Sequence, residues 1–414
     1  MSVFPPEPPE TSAPASSIPE VAFVLEVGRA MQTFGASAPT LEKALGRVSA
    51  SLGLEGALYA TPTGFLASLR KEGHHSKTYL QRIEAGESNL EKLAEAEGTV
   101  DLVLDGRMNV AQAREYLAWL MVKPRRYGPG KVVGAYGLAS AGMARIFGGG
   151  WREILLGALL GLLVGLTVQL TQARRGLGRM TPLLGGMVSA LGGALLAGLL
   201  PGSSQSVLVL SGLIVLVPGL GLLVSMQELG TGNLVSGTAR LAGTGLVFLL
   251  LAFGVGLGQR LGGAWLSGVP VEPMALPGWT LIPVLAILPV SFLVVFQGRI
   301  QDYGWTLGAS LLAWALATFG TRSLGPEAGA GLAAWGLGAA CNLYARRARR
   351  PAAVILLPAL LLVLPGSMGF RGLTLLLHQQ TLQGLQAGFQ ALVVTLALML
   401  GLLVANATVS RRSF

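Results

Sequence analysis

Charged side chains are scarce over most of this sequence. Only 12% of its 414 residues are Asp, Glu, Lys or Arg, and residues 126–414 hold 5 of the 20 acidic side chains beside 18 basic ones. The sequence has only three histidines and one cysteine, Cys341, and a single cysteine excludes an internal disulfide. The sequence also contains no HExxH motif and no Walker A motif. We therefore expect no enzyme activity, no catalytic residue, no metal or other cofactor, and no ATP-driven pumping.

Apolar residues are abundant instead. They make up 52% of the sequence and come in runs of about 20, the length an α-helix needs to cross a bilayer. The pattern predicts a polytopic α-helical membrane protein with about ten spans, some short enough to be re-entrant. The spans are expected at Val132–Phe147, Trp151–Thr171, Thr181–Leu200, Gln205–Met226, Gly232–Gly258, Leu281–Phe296, Gly304–Phe319, Glu327–Tyr344, Ala352–Leu364 and Gln380–Ala405. Small residues at four-residue spacing, such as Gly157, Gly161 and Gly165, predict close helix packing.

The basic residues are placed asymmetrically about these spans. With the N-terminus inside, 12 lysines and arginines fall in inside-facing segments and 5 in outside-facing ones. Cytoplasmic loops of membrane proteins carry such an excess. The net charge of +10 therefore indicates orientation rather than nucleic-acid binding. We expect a multi-pass protein of the cell (inner or plasma) membrane with a cytoplasmic N-terminus.

The stretch Leu216–Leu241 organises the rest of the chain. It reads LVPGLGLLVSMQELGTGNLVSGTARL: an apolar helix meets a Pro218-Gly219 break, and a polar segment leads into a second apolar helix. A related stretch, Val363–Leu392, has Pro365-Gly366 in the same place, 365 − 218 = 147 residues later. One broken helix per half is typical of transporters built from two repeats. Because each half has five spans, an odd number, the repeats would be inverted, covering 126–260 and 281–414 with a connector at 261–280.

The N-terminal part differs from the membrane region. Residues 1–17 are rich in proline and lack Lys and Arg, so they predict a disordered tail rather than a secretory signal. Residues 18–125 predict a small cytoplasmic α+β domain with two amphipathic helices and two strands around a Thr-Pro-Thr-Gly turn. Ser88 is expected to open a further helix in a capping box, and another helix is expected after Asn109. His74 and His75 lie in a polar stretch and are expected to be solvated.

Arg240 is the first candidate for binding a substrate, with Asn233 and Ser236 beside it. Steps of three and four residues place these side chains on one helical face, together with Gly237, Gly243 and Thr244. A charge at depth costs about 2.5–3.5 kcal/mol on insertion scales, so it normally faces a partner or a watery cavity. A guanidinium can hold a carboxylate through two parallel hydrogen bonds. The alternative is that Arg240 only extends to the lipid headgroups.

Glu228 is the only acidic residue near that face. It could pair with Arg240, bind a substrate ammonium or take up a coupling proton, and the alternative is a loop carboxylate facing the cytoplasm. A carbonyl group freed at Pro218-Gly219 is another acceptor for an ammonium. His378 is a second candidate for proton coupling, against an interfacial role.

The second repeat keeps a polar face but loses the charge, since Ala387 stands 147 residues after Arg240. Four glutamines share that face: Gln379, Gln383, Gln386 and Gln390. We interpret Gln383, with Pro365 and Gly366, as a neutral wall that hydrogen-bonds a small polar substrate. The alternative is that the glutamines join helices across the bundle. Arg371, after the second break, could attract an anion or only anchor the helix.

The order of several motifs resembles the threonine/serine exporter family (ThrE). They are LEVGRAMQTFGASAPTLEKALGRVSASLGL, YATPTGFLASL, the helix with Asn89-Leu-Glu-Lys-Leu93, GGGW and VPG…G…ARL, and the likeness extends from about Ile18 to Ala407. The resemblance implies a hydrophilic domain before ten spans and export of L-threonine and L-serine by antiport, driven by the proton motive force. Split relatives imply succinate or other dicarboxylate export as the alternative. The expected partners are the substrate, protons and the bilayer, with no nucleic acid. A homo-oligomer, and a signalling role for the soluble domain, stay open.

Overall fold

The computed structural model describes residues 18–83, 89–174, 176–200, 202–263, 274, 276–348, 350–363, 370, 372, 375 and 380–409. The chain divides into two compact units, Met1–Glu87 with Glu95–Lys123 and Ser88–Ala94 with Pro124–Phe414. The tail expected at residues 1–17 lies outside the described residues.

The first unit has an α+β fold. Helices α1 (Pro19–Thr33) and α2 (Ala38–Ser51) precede the antiparallel strands β1 (Leu54–Thr61), β2 (Gly64–Lys71) and β3 (Lys77–Arg82), which lie in that order in one sheet. Most of helix α3 (Leu90–Leu104) and all of α4 (Val110–Val122) belong to the same unit. Alternation along β2 buries Phe65, Ala67 and Leu69, and the Phe65 ring lies against Gly28 of α1. The sheet therefore has one face in the core.

Most predictions for this part of the chain are confirmed. Both helices and both strands are present, and Asn109 opens α4 in a capping box with Gln112. The third strand was not predicted, because Lys77–Arg82 is largely polar. Ser88, expected to open α3 in a capping box, lies outside the described residues. Asn89 caps this helix as described: its side chain accepts the backbone N–H of Lys92 at 3.0 Å immediately before α3 begins.

The second unit is helical in its described part. Its helices are α5 (Pro129–Ile146), α6 (Trp151–Ala173), α7 (Thr181–Leu199), α8 (Gln205–Leu213), α9 (Gly219–Gly230), α10 (Leu234–Gly263), α11 (Leu281–Val295), α12 (Tyr303–Leu324), α13 (Pro326–Ala348), α14 (Ala353–Leu360) and α15 (Thr381–Thr408). Within the described ranges, 5 helical stretches are long and apolar enough to cross a membrane: Trp151–Ala173, Gly178–Leu199, Leu234–Gly262, Gly278–Val295 and Leu382–Thr408. They identify a multi-pass helical membrane protein, and the count of ten spans stays a prediction.

The predicted break in the first half is present. The fourth expected span, Gln205–Met226, consists of two helices, since α8 ends at Leu213 and α9 begins at Gly219. The ninth expected span, Ala352–Leu364, contains the 8-residue helix α14. The second break, Pro365-Gly366, lies outside the described residues.

Small residues bring the helices together as predicted. Gly157, Gly161 and Gly165 of α6 face α5, and a Cβ at Gly161 would lie 2.6 Å from the carbonyl oxygen of Tyr136. Helix α10 packs along α7, and α15 packs along α13. In each half, therefore, the third helix (α7 or α13) packs along the last helix (α10 or α15).

Helices α5 and α11, the first of each half, run antiparallel and are bonded at both ends. At the end of α5, Arg145 donates through Nε to the hydroxyl of Thr280, which immediately precedes α11, at 2.7 Å. At the other end, the backbone N–H of Tyr127, before α5, donates to Oε1 of Gln297, after α11, at 2.8 Å. The two linkages join the end of one helix to the start of the other.

Two apolar residues that follow the breaks are buried in opposite halves. Leu223 lies 223 − 218 = 5 residues after the first break proline and belongs to a cluster with Leu337, Val394 and Leu398 of the second half. Phe370 lies 370 − 365 = 5 residues after the second break proline and belongs to a cluster with Phe248 and other residues of the first half. Each of these two residues is thus packed mainly among residues of the other half of the chain.

Candidate functional site

The first break has a local cause in Pro218. Proline has no backbone N–H, and its ring prevents a helix from continuing through it. The carbonyl oxygen of Pro218 accepts the N–H of Leu222, and that of Val217 accepts the N–H of Gly219. Both of these carbonyl groups are therefore used in starting α9. The carbonyl group expected to be freed at the break is thus not that of Val217 or Pro218 in this structure.

Glu228 and Arg240 form an ion pair across the turn between α9 and α10. Nε of Arg240 donates to Oε2 of Glu228, and Nη2 donates to Oε1, both at 2.9 Å. The side chain of Glu228 is 0% exposed and that of Arg240 is 27% exposed. Glu228 is therefore no loop carboxylate facing water, and Arg240 does not simply extend to the headgroups. Of the alternatives considered from the sequence, the structure favours pairing.

Two glycines allow α9 and α10 to approach closely around this pair. A Cβ at Gly237 of α10 would lie 2.7 Å from the side chain of Leu229, and one at Gly221 of α9 would lie 2.6 Å from the hydroxyl oxygen of Thr244. Gly232, in the turn between the helices, has a φ of +85°, a backbone conformation that residues other than glycine rarely adopt. The short connection and the close packing hold the carboxylate and the guanidinium together.

Ser236, one helical turn before Arg240, has an unsatisfied hydroxyl group. It is 2% exposed, and its Oγ has no hydrogen-bond partner within the described part of the chain. Buried polar atoms are nearly always paired, so this hydroxyl, one helical turn from Arg240, is open to a ligand or a water molecule. Thr244, a turn beyond Arg240, is also buried. Four members of the predicted polar face are therefore part of the site. Arg240 forms the ion pair, and the buried residues are Ser236, Gly237 and Thr244.

Two other members of that face lie elsewhere. Gly243 is exposed. Asn233 is half-buried at the start of α10, where its side chain donates to the hydroxyl of Thr231 at 3.3 Å. Asn233 therefore lies at the edge of the site.

The helices that pack around the pair contain few other charged residues in the part of the chain that the structure describes. Helix α9 packs against α10 and α15, and these three helices contain Glu228, Arg240 and Arg260 as their titratable residues. Arg260 is 260 − 240 = 20 residues further along α10, about 30 Å at 1.5 Å per residue. These three helices thus contribute one positive and one negative group to the site. Among the described residues no three His, Cys, Asp or Glu side chains come together as metal ligands.

The residues predicted in the second repeat are described only in part. Pro365, Gly366, Arg371, His378 and Gln379 lie outside the described residues. Gln383 and Gln386 are exposed on α15, and Gln390 is half-buried. Gln383 therefore does not share the buried surroundings of Glu228.

Three further carboxylates of this unit were missed from the sequence. Glu91, Glu153 and Asp302 are 7%, 2% and 5% exposed, and each is hydrogen-bonded. The scarcity of acidic residues after residue 125 could have singled out Glu153 and Asp302, since an acid in an apolar region is usually functional. Glu91 sits in a strongly charged stretch, which hid it.

Glu91 holds two arginines of the membrane unit. Its Oε1 accepts from Arg126 at 2.7 Å and from Arg299 at 3.3 Å, and the N–H of Leu90 donates to the carbonyl oxygen of Phe296 at 2.9 Å. Arg126 precedes α5 and Arg299 follows α11. The first turn of α3 therefore belongs to the membrane unit, whereas the rest of the helix belongs to the first unit.

Comparison with known proteins identifies a family for most of the chain. Residues 22–262 match the family model ThrE, described as a threonine/serine exporter, and residues 283–408 match the model "Threonine/Serine exporter, ThrE". The two matches meet at the connector between the proposed repeats. No solved structure matches the chain significantly.

Individual relatives are similar at low identity. The "Probable threonine/serine exporter" of Mycobacterium tuberculosis is 28% identical over 354 residues, which is 80% of this chain and 65% of that protein. The "Threonine/serine exporter" of Corynebacterium glutamicum is 27% identical over 319 residues, 72% of this chain and 63% of that protein. The "Pheromone-regulated membrane protein 10" of Candida albicans is 26% identical over 366 residues, 84% of this chain and 32% of that protein. The chain thus spans less than two thirds of the length of these relatives.

Proposed function

This chain belongs to the threonine/serine exporter family, and we propose that it exports small amino acids, L-threonine and L-serine, in exchange for protons. The ion pair between Glu228 and Arg240 is the observation that carries the proposal. It places a buried carboxylate and a guanidinium 2.9 Å apart beside a broken helix. Broken helices are where transporters of this kind bind their substrates.

The two charges match those of an amino acid. A zwitterion carries one carboxylate and one ammonium, so it can replace the internal pair by binding its carboxylate to Arg240 and its ammonium to Glu228. Charge stays balanced when the pair is opened in this way, which limits the cost of leaving a buried charge uncompensated. The unpaired hydroxyl of Ser236 is then available to the substrate's polar side chain.

Proton coupling follows from the same carboxylate. The ammonium of the substrate needs an ionised Glu228, whereas a proton bound to Glu228 neutralises it. Substrate and proton therefore compete for one group, and a carrier that returns only with Glu228 neutralised exchanges one for the other. Antiport driven by the proton motive force requires such competition. Arg240 is the charged residue facing Glu228 from α10, and α15 has no titratable side chain.

The alternative of succinate or dicarboxylate export fits the site less well. A dicarboxylate would place its second negative charge near Glu228, and like charges in a buried site repel. Helices α9, α10 and α15 provide no second cation near Arg240. A protonated Glu228 would be required throughout binding, so the alternative remains testable by substrate competition.

Two inverted repeats are the architecture that we propose for the membrane unit. The antiparallel pairing of α5 with α11, and the reciprocal burial of Leu223 and Phe370, support it. Ten spans, a cytoplasmic N-terminus in the cell's inner membrane, and Pro365-Gly366 as the counterpart of Pro218-Gly219 belong to the same proposal. The protein is proposed to be a carrier without enzyme activity.

The other predicted residues have supporting roles in this proposal. Asn233 lies at the edge of the site, and the breaks at Pro218-Gly219 and Pro365-Gly366 let the flanking helices move. Gln383 and His378 keep the roles predicted from the sequence, as a neutral hydrogen-bonding group and as a second proton acceptor. A homo-oligomer stays open, because the site is argued from one chain.

Counterflow in proteoliposomes tests the proposal. Vesicles containing the purified protein are loaded with unlabelled L-threonine, L-serine or succinate, and uptake of the matching labelled solute is followed. We expect exchange of threonine and serine that is lost in Arg240→Ala. Arg260→Ala is the matched control, since Arg260 is exposed on the same helix about 30 Å from Arg240, and it should lose less than half of the rate. Exchange of succinate alone would establish the dicarboxylate alternative, and exchange of none of the three by correctly inserted protein would refute the proposal.

A further inference from the structure

Two of the buried carboxylates occupy corresponding places in the two halves. Glu153 lies in the first turn of α6, the second helix of its half, and Asp302 lies immediately before α12, the second helix of the other half. Each is bonded to the segment that leads into the short helix before the break, α8 in one half and α14 in the other. Their roles are not explained by substrate binding, since neither belongs to the site at Arg240.

Glu153 holds the start of α8. Its Oε2 accepts the N–H of Gly150, which caps its own helix, and its Oε1 accepts the N–H of Ser204 at 2.8 Å. Ser204 immediately precedes Gln205, the first residue of α8. The carboxylate therefore joins the start of α6 to the start of α8 through two backbone donors.

Asp302 holds the start of α14 by charge. Nη1 of Arg350 donates to both of its carboxylate oxygens, at 2.8 and 2.7 Å, and the hydroxyl of Tyr344 donates to Oδ1 at 2.8 Å. Arg350 lies three residues before Ala353, where α14 begins. The linkage again joins the start of the second helix of the half to the approach of the fourth.

The two linkages lie at opposite ends of the α5–α11 pair. Helix α6 begins just after the end of α5, and α12 begins just after the end of α11. Because α5 and α11 are antiparallel, their ends point in opposite directions. The 18 residues of α5 separate the two levels by about 27 Å, close to the thickness of a bilayer's hydrocarbon core.

We propose that Glu153 and Asp302 are matched positioning residues that latch the broken helices at opposite sides of the membrane. Each latch holds its broken helix against the second helix of the half, and both are closed in this structure. Alternating access requires the two sides to open in turn, so loosening one latch favours opening at its own side. The inference rests on the proposed carrier function, and it predicts shifts of opposite sign for the two latches.

Side-specific labelling tests the inference. The background is Cys341→Ala, which removes the buried native cysteine, with Ser236→Cys as a reporter beside Arg240. Membrane-impermeant maleimide is applied from the inside or the outside of oriented vesicles, and the ratio of the two labelling rates is measured. Asp302→Asn, which keeps the shape but removes the charge that holds Arg350, should change this ratio at least threefold toward one side. Loosening the Glu153 latch should change it at least threefold toward the other.

The Glu153 latch has its own matched pair of variants. Ser204→Pro removes the donated N–H, and proline accepts the φ of −79° found there, whereas Ser204→Ala keeps the N–H. We expect a shift with Ser204→Pro and none with Ser204→Ala. Only variants whose melting temperature in detergent lies within a few degrees of that of the parent protein are compared. Arg350→Lys is a milder variant of the Asp302 latch.

The outcomes are distinguishable from those of the transport assay. Opposite shifts of the labelling ratio support the latches whether or not threonine is exchanged. Shifts toward the same side, or an unchanged ratio in folded variants, overturn the inference even where threonine exchange is normal. A shift in Ser204→Ala as large as that in Ser204→Pro also overturns it, because the proposed bond is to the backbone.

Discussion

The carboxylate of Glu228 accepts hydrogen bonds from both Nε and Nη2 of Arg240. Glu228 is fully buried at the end of α9, and Arg240 lies in the first turns of α10. Two parallel hydrogen bonds between a planar guanidinium and a carboxylate give strength and a fixed geometry. Removing one partner of a buried pair leaves the other charge without its opposite, which is strongly destabilising. The pair therefore connects stability with transport, and a comparison of single and double variants separates the two.

Arg240→Gln should lower the free energy of unfolding by about 3 kcal/mol, because it leaves the fully buried Glu228 without its opposite charge, and Glu228→Gln by about 2 kcal/mol, because the Arg240 it leaves is 27% exposed. The double variant should recover at least half of that loss, since no buried charge is left alone. It should nevertheless fail to exchange threonine. Thermal unfolding in detergent and counterflow measure the two quantities. A double variant that exchanges threonine at more than half the parent rate would show that the pair is only structural.

Ser236→Ala should raise the KM for threonine about fivefold, the loss of one hydrogen bond of about 1 kcal/mol, without lowering stability. The unsatisfied hydroxyl contributes no bond to the empty protein, so its removal costs nothing there. Ser140→Ala is the matched control, since Ser140 is also buried and unpaired among the described residues but lies against Gly161 of α6. Equal KM changes in both variants would contradict a role for Ser236 in binding.

Cysteines at Gly128 and Gly278 should be labelled from opposite sides of the membrane. Both glycines are exposed and lie just before α5 and α11, and a Cβ at either meets no atom within 4 Å. Since α5 and α11 are antiparallel, their starts point to opposite sides. The measurement uses Gly128→Cys and Gly278→Cys in the Cys341→Ala background with an impermeant maleimide. Labelling of both from one side would rule out the inverted repeats.

Glu91→Gln should lower the free energy of unfolding of the membrane unit by about 2 kcal/mol. The substitution removes the charge that holds Arg126 and Arg299, whose side chains are about one third exposed, so the loss is smaller than for a fully buried group. Glu55→Gln is the control, since its pair with Arg70 is exposed and its loss should stay within about 0.5 kcal/mol. Thermal unfolding of the whole protein compares them, and equal melting temperatures would show that Glu91 contributes no more than a surface pair.

The sequence predicts the parts of this site that depend on the identity of single residues. Pro218 predicts the break because its ring ends a helix, and Arg240 predicts an acidic partner or a watery cavity because an unpaired charge is costly in a membrane. The burial of Glu228 is not predictable in the same way. The polar residues after it indicate a loop, whereas α9 continues to Gly230 because its apolar face packs against α10 and α15.

Other features have no signal in a single sequence. The bond from Glu153 to Ser204 uses a backbone N–H, which every residue except proline has. The reciprocal burial of Leu223 and Phe370 depends on which halves face each other, and apolar residues in an apolar chain do not indicate that. The 147-residue offset predicts that the two positions are equivalent. That each residue is buried among residues of the other half is visible only in the structure.

Proton movement driven by threonine is the most direct test of the account, because it asks whether substrate and proton compete for Glu228. Proteoliposomes containing a pH-sensitive dye are loaded with threonine and diluted into threonine-free buffer. The account predicts that the wild type moves protons inward as threonine leaves, and that Glu228→Gln, which cannot hold the substrate ammonium by charge, neither exchanges threonine by counterflow nor moves protons. Threonine counterflow at the wild-type rate by correctly inserted Glu228→Gln, or threonine efflux from the wild type without proton movement, would contradict the account.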